Sequence, residues 1–391
     1  MARRRHLRRT CPHARDRPAA VTKPARPAPL PGLRVDKRHF NALDLSRLVA
    51  SFAVLFWHYQ HFFVPPVGYG FHVDREVLTP FYHPLRWLFD YGHVAVEYFW
   101  AVSGFVFAHV YLADSTAHRR FWIARVARLW PLHLLTLVLV AGLQGLYTHI
   151  NGTAFIYHEQ DWKHFLLSIP LAHYWGWQHN QSFNGPSWSL STEILAYAAF
   201  WVLLPALRRA PLLVALPVAV VVLRLFFLGW PDEPVLTCIG YFFLGTSIYG
   251  AALRGWLTLP VLVTASVACI AAGWIAATRY HGEDATILAG TFAVFFATLA
   301  IDLADRGDRL AIGRKLGDAS YGIYLWHFPL QVALVLVIDA TLGSRAIASQ
   351  PAFLLFFLAL AVAAGFASHR WIERPAQKAV LRLAGRWRAA A

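Results

Sequence analysis

The sequence predicts an all-α integral membrane protein with about ten transmembrane helices and both termini in the cytoplasm. Three observations carry that expectation. Of the 391 residues, 57% are hydrophobic and only 15% are charged, against about a quarter charged in an ordinary soluble domain. The apolar residues gather in runs of about twenty, the length that crosses a hydrocarbon layer. The connections alternate in charge. Those on the side of the termini hold about fourteen Lys and Arg, and the opposite ones about five, Arg75, Arg86, Lys163, Arg279 and Arg345. That asymmetry is the positive-inside bias. Soluble and disordered readings of the whole chain are excluded.

Residues 1–40 come first, in a segment rich in Arg, Pro and Ala with no apolar period. Twelve of the chain's Lys and Arg fall within residues 1–46. The composition predicts a disordered basic cytoplasmic tail lying near anionic lipid, with no nucleic acid as partner. The layout is not that of a cleavable signal, because the first apolar run is long enough to span. A membrane domain over 41–372 follows, with spans expected over about 43–64, 88–112, 122–147, 189–207, 211–229, 234–252, 257–277, 285–303, 319–340 and 350–371. The long connection 148–188 contains "HFLLSIPLAHYWGW". That stretch is too short to cross and reads as re-entrant or interfacial. Its Trp162, Trp175, Trp177, Asn180 and Gln181 suit either a sugar or plain interfacial anchoring. Residues 373–391 read as a second basic cytoplasmic tail. The three cysteines, Cys11, Cys238 and Cys269, have no metal or disulfide spacing and read as small apolar residues.

Ionisable groups inside apolar spans are costly, so they mark candidate sites. Arg47 and His58 lie eleven residues apart in the first span. On a helix that is about three turns and roughly 16 Å, which puts both on one face. Arg47 sits at the cytoplasmic rim and either reaches lipid phosphate or contributes to an anion site. In the third span, "FWIARVARLWPLH" places Arg125 and Arg128 at i and i+3, on a shared face near the same rim. Guanidinium groups bind phosphate through a planar fork, although the positive-inside bias alone also accounts for them. Pro131 is expected to bend or open that helix. Glu97 and Glu193 occupy apolar surroundings in the second and fourth spans. A buried glutamate is protonated or finds a cation, so each either orients His58, balances an arginine or forms a structural pair. Tyr324 and His327 fall in the ninth span, where packing accounts for them as well as function does.

Taken together, these segments resemble the acyltransferase type 3 family of integral membrane acyltransferases. Five blocks appear in the family's order: Arg47 with His58; the acidic-aromatic run "VEYFWAVSGFVF"; Arg125, Arg128 and Pro131; "WSLSTE" ending at Glu193; and "SYGIYLWHFPL" followed by "WIERP". The likeness covers about residues 40–375. It implies transfer of an acyl group, acetyl by default, from cytoplasmic acyl-CoA to a hydroxyl of a cell-surface polysaccharide, a glycolipid or a small molecule. It also implies a multi-pass protein of the bacterial inner (cytoplasmic) membrane, with no permanently bound cofactor. Carried over residue by residue, it marks Arg47, His58, Arg125 and Arg128. The family's frequent arginine before the aromatic-glycine motif of the sixth span is replaced here by Thr237 and Cys238. Ending about twenty residues after its last span, the chain is expected to act without an appended esterase-like domain.

The chemistry expected is general-base catalysis by His58, with Glu97 or Glu193 orienting the imidazole. Ser103, Ser187 or Trp188 would be donors to the oxyanion, and Arg47, Arg125 and Arg128 would hold the phosphates of the acyl-CoA donor. His58 and His61 are i, i+3, but no HExxH or clustered Asp/His pattern accompanies them, so no metal is expected. The competing reading is a transporter or flippase for an anionic or lipid-linked solute, which uses the same intramembrane charges. It predicts two related halves, and the sequence has no such self-similarity.

Overall fold

The computed structural model describes residues 39–65, 73–112, 117–178, 180–230, 233–305 and 309–390. The expected tail over 1–40 and Cys11 fall almost wholly outside them. Helices account for the architecture. In chain order they are α1 (Asn41–His58), α2 (Arg75–Leu78), α3 (Tyr82–Tyr91), α4 (Ala95–Tyr111), α5 (Ala117–Asn151), α6 (Trp162–Ser168), α7 (Trp188–Arg209) and α8 (Pro211–Phe227). There follow α9 (Glu233–Leu253), α10 (Leu259–Ile275), α11 (Glu283–Ala304), α12 (Ile312–Asp318), α13 (Ser320–Leu342), α14 (Pro351–Ser368) and α15 (Arg374–Ala390). A lone bridge between Glu159 and Ser182 is the only isolated β pairing among the described residues.

Eight of the helical stretches are long and apolar enough to cross a membrane, from Tyr82–Tyr111 to Pro351–Ala384. The remaining two expected spans correspond to α8, a shorter apolar helix of 17 residues, and α1, of 18 residues. Polar groups at Asp44, Arg47 and His58 dilute the hydropathy of α1. The multi-pass all-α class is therefore as expected. Helix α5 runs through Pro131 as one element of 35 residues. Beyond α14 the chain, expected as a basic tail, is helical. It passes through a π-turn, His369–Glu373, and continues as α15.

Without a hydrophobic drive between helices in lipid, close approach depends on small residues. Helices α4 and α9 pack antiparallel in this way. A Cβ at Gly104 would lie 1.8 Å from the Phe242 carbonyl oxygen, and one at Gly245 would lie 1.9 Å from that of Ala101. Thr246 Oγ1 donates to the Gly104 carbonyl at 3.1 Å and seals the contact. The "SGF" of the second sequence block thus encodes a helix crossing.

Helix α1 is inserted at the centre, against α4, α11, α12 and α13. Its first turn is capped from a distance. The Asp302 carboxylate, on α11, accepts from Ala42 N at 2.9 Å and Leu43 N at 3.0 Å, satisfying donors that a helix start leaves orphaned. Further along, Ser51 Oγ donates to the Ser320 carbonyl at 3.2 Å. That contact sets α1 and α13 in parallel register.

Candidate active site

Helix α1 carries both expected functional groups. From the Ser51–Ser320 contact, seven residues along each helix bring the rings of His58 and His327 together, with centroids 4.8 Å apart. Gln331, one turn further on α13, donates to the His58 carbonyl at 2.8 Å. The His58 Nδ1 lies 2.9 Å from the Val54 carbonyl oxygen. A carbonyl only accepts, so Nδ1 carries the hydrogen, and the neutral imidazole keeps its lone pair on Nε2. His327 follows the same rule: its Nδ1 donates to the Tyr324 carbonyl at 2.5 Å. Its Nε2 is buried without a hydrogen-bond partner among the described residues. His61, in the 3-10 turn that extends α1, completes the group with a ring centroid 5.0 Å from that of His58.

His58 borders a cavity of about 1120 Å³ at the end of the bundle remote from Arg47. Glu97, Tyr324 and Trp188 line it from α4, α13 and α7, and Asn180 and Gln181 from the long connection. Tyr324 is fixed there, its hydroxyl donating to the Pro186 carbonyl at 2.7 Å and meeting Ser189 Oγ at 2.8 Å. Ser187 pairs with His173 Nε2 at 3.3 Å. Trp175 is held to the Ser191 carbonyl at 2.8 Å, whereas Trp162 and Trp177 are exposed.

The two glutamates separate. Glu97 shares the cavity wall with His58, and its Oε2 is buried without a hydrogen-bond partner among the described residues. Glu193 is buried away from the cavity, within electrostatic reach of Arg47 and Arg125 and beside Ser103 and Tyr197. The Nδ1 bond of His58 goes to its own helix, not to either carboxylate.

The three arginines converge at the Arg47 end of α1. Arg47 lies 3.9 Å from Asp44 and within electrostatic reach of Arg128. The Arg125 guanidinium stacks 4.7 Å above the Phe107 ring, and its Nε is buried without a hydrogen-bond partner among the described residues. Arg128 donates to Glu373 Oε2 at 3.5 Å. The π-turn buries Glu373, and Ser368 Oγ donates to its other oxygen at 3.0 Å.

Sequence reasoning assigned no role to Glu373 or to the Asp302 cap. The acid of "WIERP" was visible as part of a block, but its partner lies 245 residues away. In the long connection, Glu159, Asp161 and His164 place one ligand atom each within 4.8 Å of one another, close enough for a cation. His164 Nδ1 lies 2.7 Å from Asp161, whose carboxylate also accepts from His164 N as the cap of α6. Those bonds hold the Asp161 carboxyl below its ordinary range.

The chain is thus a multi-pass membrane protein that pairs an imidazole-lined cavity with a guanidinium cluster along one helix. Comparison identifies the class: the family described as "Acyltransferase domain", acyltransferase family 3, matches residues 40–370. The chain belongs to this family of membrane O-acyltransferases, as the five blocks implied. Among curated relatives, it is 28% identical to the protein named "Acyltransferase MdmB" of Streptomyces mycarofaciens, over 81% of this chain and 87% of that one. It is 25% identical to the "O-acetyl transferase" of Shigella phage Sf6, over 75% and 86%. It is 26% identical to "Exopolysaccharide production protein ExoZ" of Rhizobium meliloti (strain 1021), over 76% and 95%. No solved structure matches the chain.

Proposed function

We propose that the protein moves an acyl group, acetyl by default, from acyl-CoA to a hydroxyl of a surface polysaccharide or glycolipid, with His58 as general base. The observation that carries this reading is the tautomer of His58. Its Nδ1–H is committed to Val54, so the basic Nε2 is free at the wall of a cavity large enough for sugar residues. The acceptor occupies that cavity, and His58 Nε2 takes the hydroxyl proton as the oxygen attacks the thioester carbonyl. The tetrahedral oxyanion collapses, the carbon–sulfur bond breaks, and the imidazolium returns the proton to the departing thiolate. Atoms and charge balance with no further reactant.

The donor enters from the arginine end. Arg47, Arg125 and Arg128 hold its phosphates, and the pantetheine arm follows α1 inward. The roughly 16 Å between Arg47 and His58 is the length that arm must cover. The Lys/Arg asymmetry supports the arginine end as cytoplasmic and a bacterial inner-membrane setting. The names of two relatives, an O-acetyl transferase and an exopolysaccharide production protein, favour acetyl and a carbohydrate. Glu97 is the acid nearest in function to the base, as part of the same wall, while Glu193 balances the arginines.

The test uses membranes bearing the wild type or His58→Ala, given radiolabelled acetyl-CoA. Label entering the carbohydrate fraction with wild type, and lost by about a hundredfold or more in the variant at equal protein level, is expected. Equal labelling by both removes His58 from the chemistry.

A further inference from the structure

Helix α15 carries a charge pattern that the acyl-transfer reading does not use. Arg374, Lys378 and Arg382 fall at i, i+4 and i+8, on one face, and all three are exposed. Residues 374–384 contain no Asp or Glu, and Glu373, the acid just before them, is buried and paired with Arg128. Val380 and Ala384 lie on the other side of the helix, which meets α5. The position of the basic face is constrained as well. The π-turn His369–Glu373 joins α15 directly to α14, part of a stretch long and apolar enough to cross a membrane. The face is therefore held within a few residues of a bilayer boundary. Apolar groups are exposed beside it: Trp371, one turn before Arg374, is 70% exposed, Leu381 44% and Leu383 55%. Leu383 also edges a groove of about 400 Å³ between α5 and α15, whose other walls are Trp122, Ile123, Val126, Val380 and Ala384.

We propose that this face of α15 is a docking surface for anionic phospholipid of the leaflet at the arginine end of the bundle. Arg374, Lys378 and Arg382 meet headgroup phosphates, each contributing about fivefold in affinity. Trp371 sits at headgroup level, as indole rings do at a bilayer boundary. Leu381, Leu383 and the groove beside them take acyl-chain carbons, in the manner of a helix that lies in the interface. A soluble phosphate ester would use the cations and leave the exposed Trp and Leu side chains in water. A phospholipid supplies a partner for both.

The experiment titrates the full-length protein in neutral detergent with dihexanoyl phosphatidylglycerol and follows Tm. Dihexanoyl phosphatidylcholine, of equal chain length and no net charge, is the control lipid. Phosphatidylglycerol is expected to raise Tm and phosphatidylcholine to leave it unchanged. The Arg374→Gln/Lys378→Gln/Arg382→Gln variant, measured from its own starting Tm, should need about tenfold more phosphatidylglycerol, or beyond, for the same rise. Arg374→Lys/Arg382→Lys keeps the charges and should match the wild type within about twofold. No rise in the wild type, equal rises with both lipids, or a full response in the Gln variant each overturn the proposal. Acetyl-CoA is the third arm: if it gives the wild type a rise that the Gln variant loses, the cations serve the donor and the lipid assignment fails.

Discussion

Arg128 and Glu373 form an ion pair that ties α5 to the π-turn after α14, with the carboxylate 3% exposed and the guanidinium Nη1 3.5 Å away. Two sequence blocks far apart in the chain therefore meet as one structural unit. Truncating one partner leaves the other uncompensated in a poorly solvated place. Glu373→Ala is expected to lower stability by about 1–3 kcal/mol, discounted because Arg128 is partly exposed. Thermal unfolding in detergent checks this. A double-mutant cycle with Arg128→Ala should show the two losses to be less than additive.

His327 packs its ring against His58 and is not among the cavity-lining residues, so on the proposed function it is expected to act as a positioning residue. His327→Phe, which keeps volume and removes the ring nitrogens, is expected to lower kcat about tenfold or more at unchanged KM for acetyl-CoA. In a His58→Ala background the same change should cost nothing further. A loss of equal size in both backgrounds assigns His327 to packing alone.

The guanidinium cluster should be read out in KM for the donor. Each of Arg47→Gln and Arg125→Gln is expected to raise KM for acetyl-CoA about tenfold, since a charge-assisted bond contributes about 1.5–3 kcal/mol. Arg47→Lys should restore only part of the loss, because an ammonium lacks the planar fork. Titration of labelling against acetyl-CoA concentration distinguishes this from a kcat effect.

At the α4–α9 crossing, Gly104→Ala forces a methyl group into the Phe242 carbonyl. Overpacking costs about 1–3 kcal/mol where neighbours can shift, and here the obstacle is backbone. The expected result is a Tm fall at the upper end of that range or beyond. Gly142→Ala, on an open helix face, is the matched control and should be near neutral.

In the long connection, burial holds the His173 imidazole down to about 3. The folded state keeps it neutral, whereas the unfolded chain takes up a proton near pH 6.5. Below that pH the unfolded state binds more protons, so stability falls as pH drops towards 3. His173→Gln should remove one proton's share of that slope, about 1.4 kcal/mol per pH unit. Unfolding curves at pH 7, 6 and 5 for both proteins measure it.

Most of the helical layout was legible because a bilayer dictates span length and the charge of connections. Helix α7 begins within a residue of its expected start, and α11 within two. The face shared by Arg47 and His58 followed from helical period alone. What the sequence withheld is long-range pairing. Nothing local to Asp302 indicates that it caps a helix some 260 residues earlier. Nor does Glu193 reveal locally that it faces arginines while Glu97 faces the cavity. The expected carboxylate partner for His58 was replaced by Val54, one turn back on its own helix. The tail after residue 372 was read only as basic and cytoplasmic, and its charge did not indicate that the helix is carried on through a π-turn into α15.

The bond from His58 to Val54 places the tautomer of this imidazole, the proposed base, under the control of the backbone rather than of a neighbouring side chain. Much of the cavity lining, by contrast, comes from connecting segments, Val73 to Glu76 and, from the long connection, Thr153 to His158 with Tyr174, Asn180 and Gln181. On the proposed function, reaction centre and acceptor recognition are therefore modular. On that reading, exchange of rim segments between relatives would offer a route to new acceptors, with the proton-transfer geometry anchored within a single helical turn and kept unchanged.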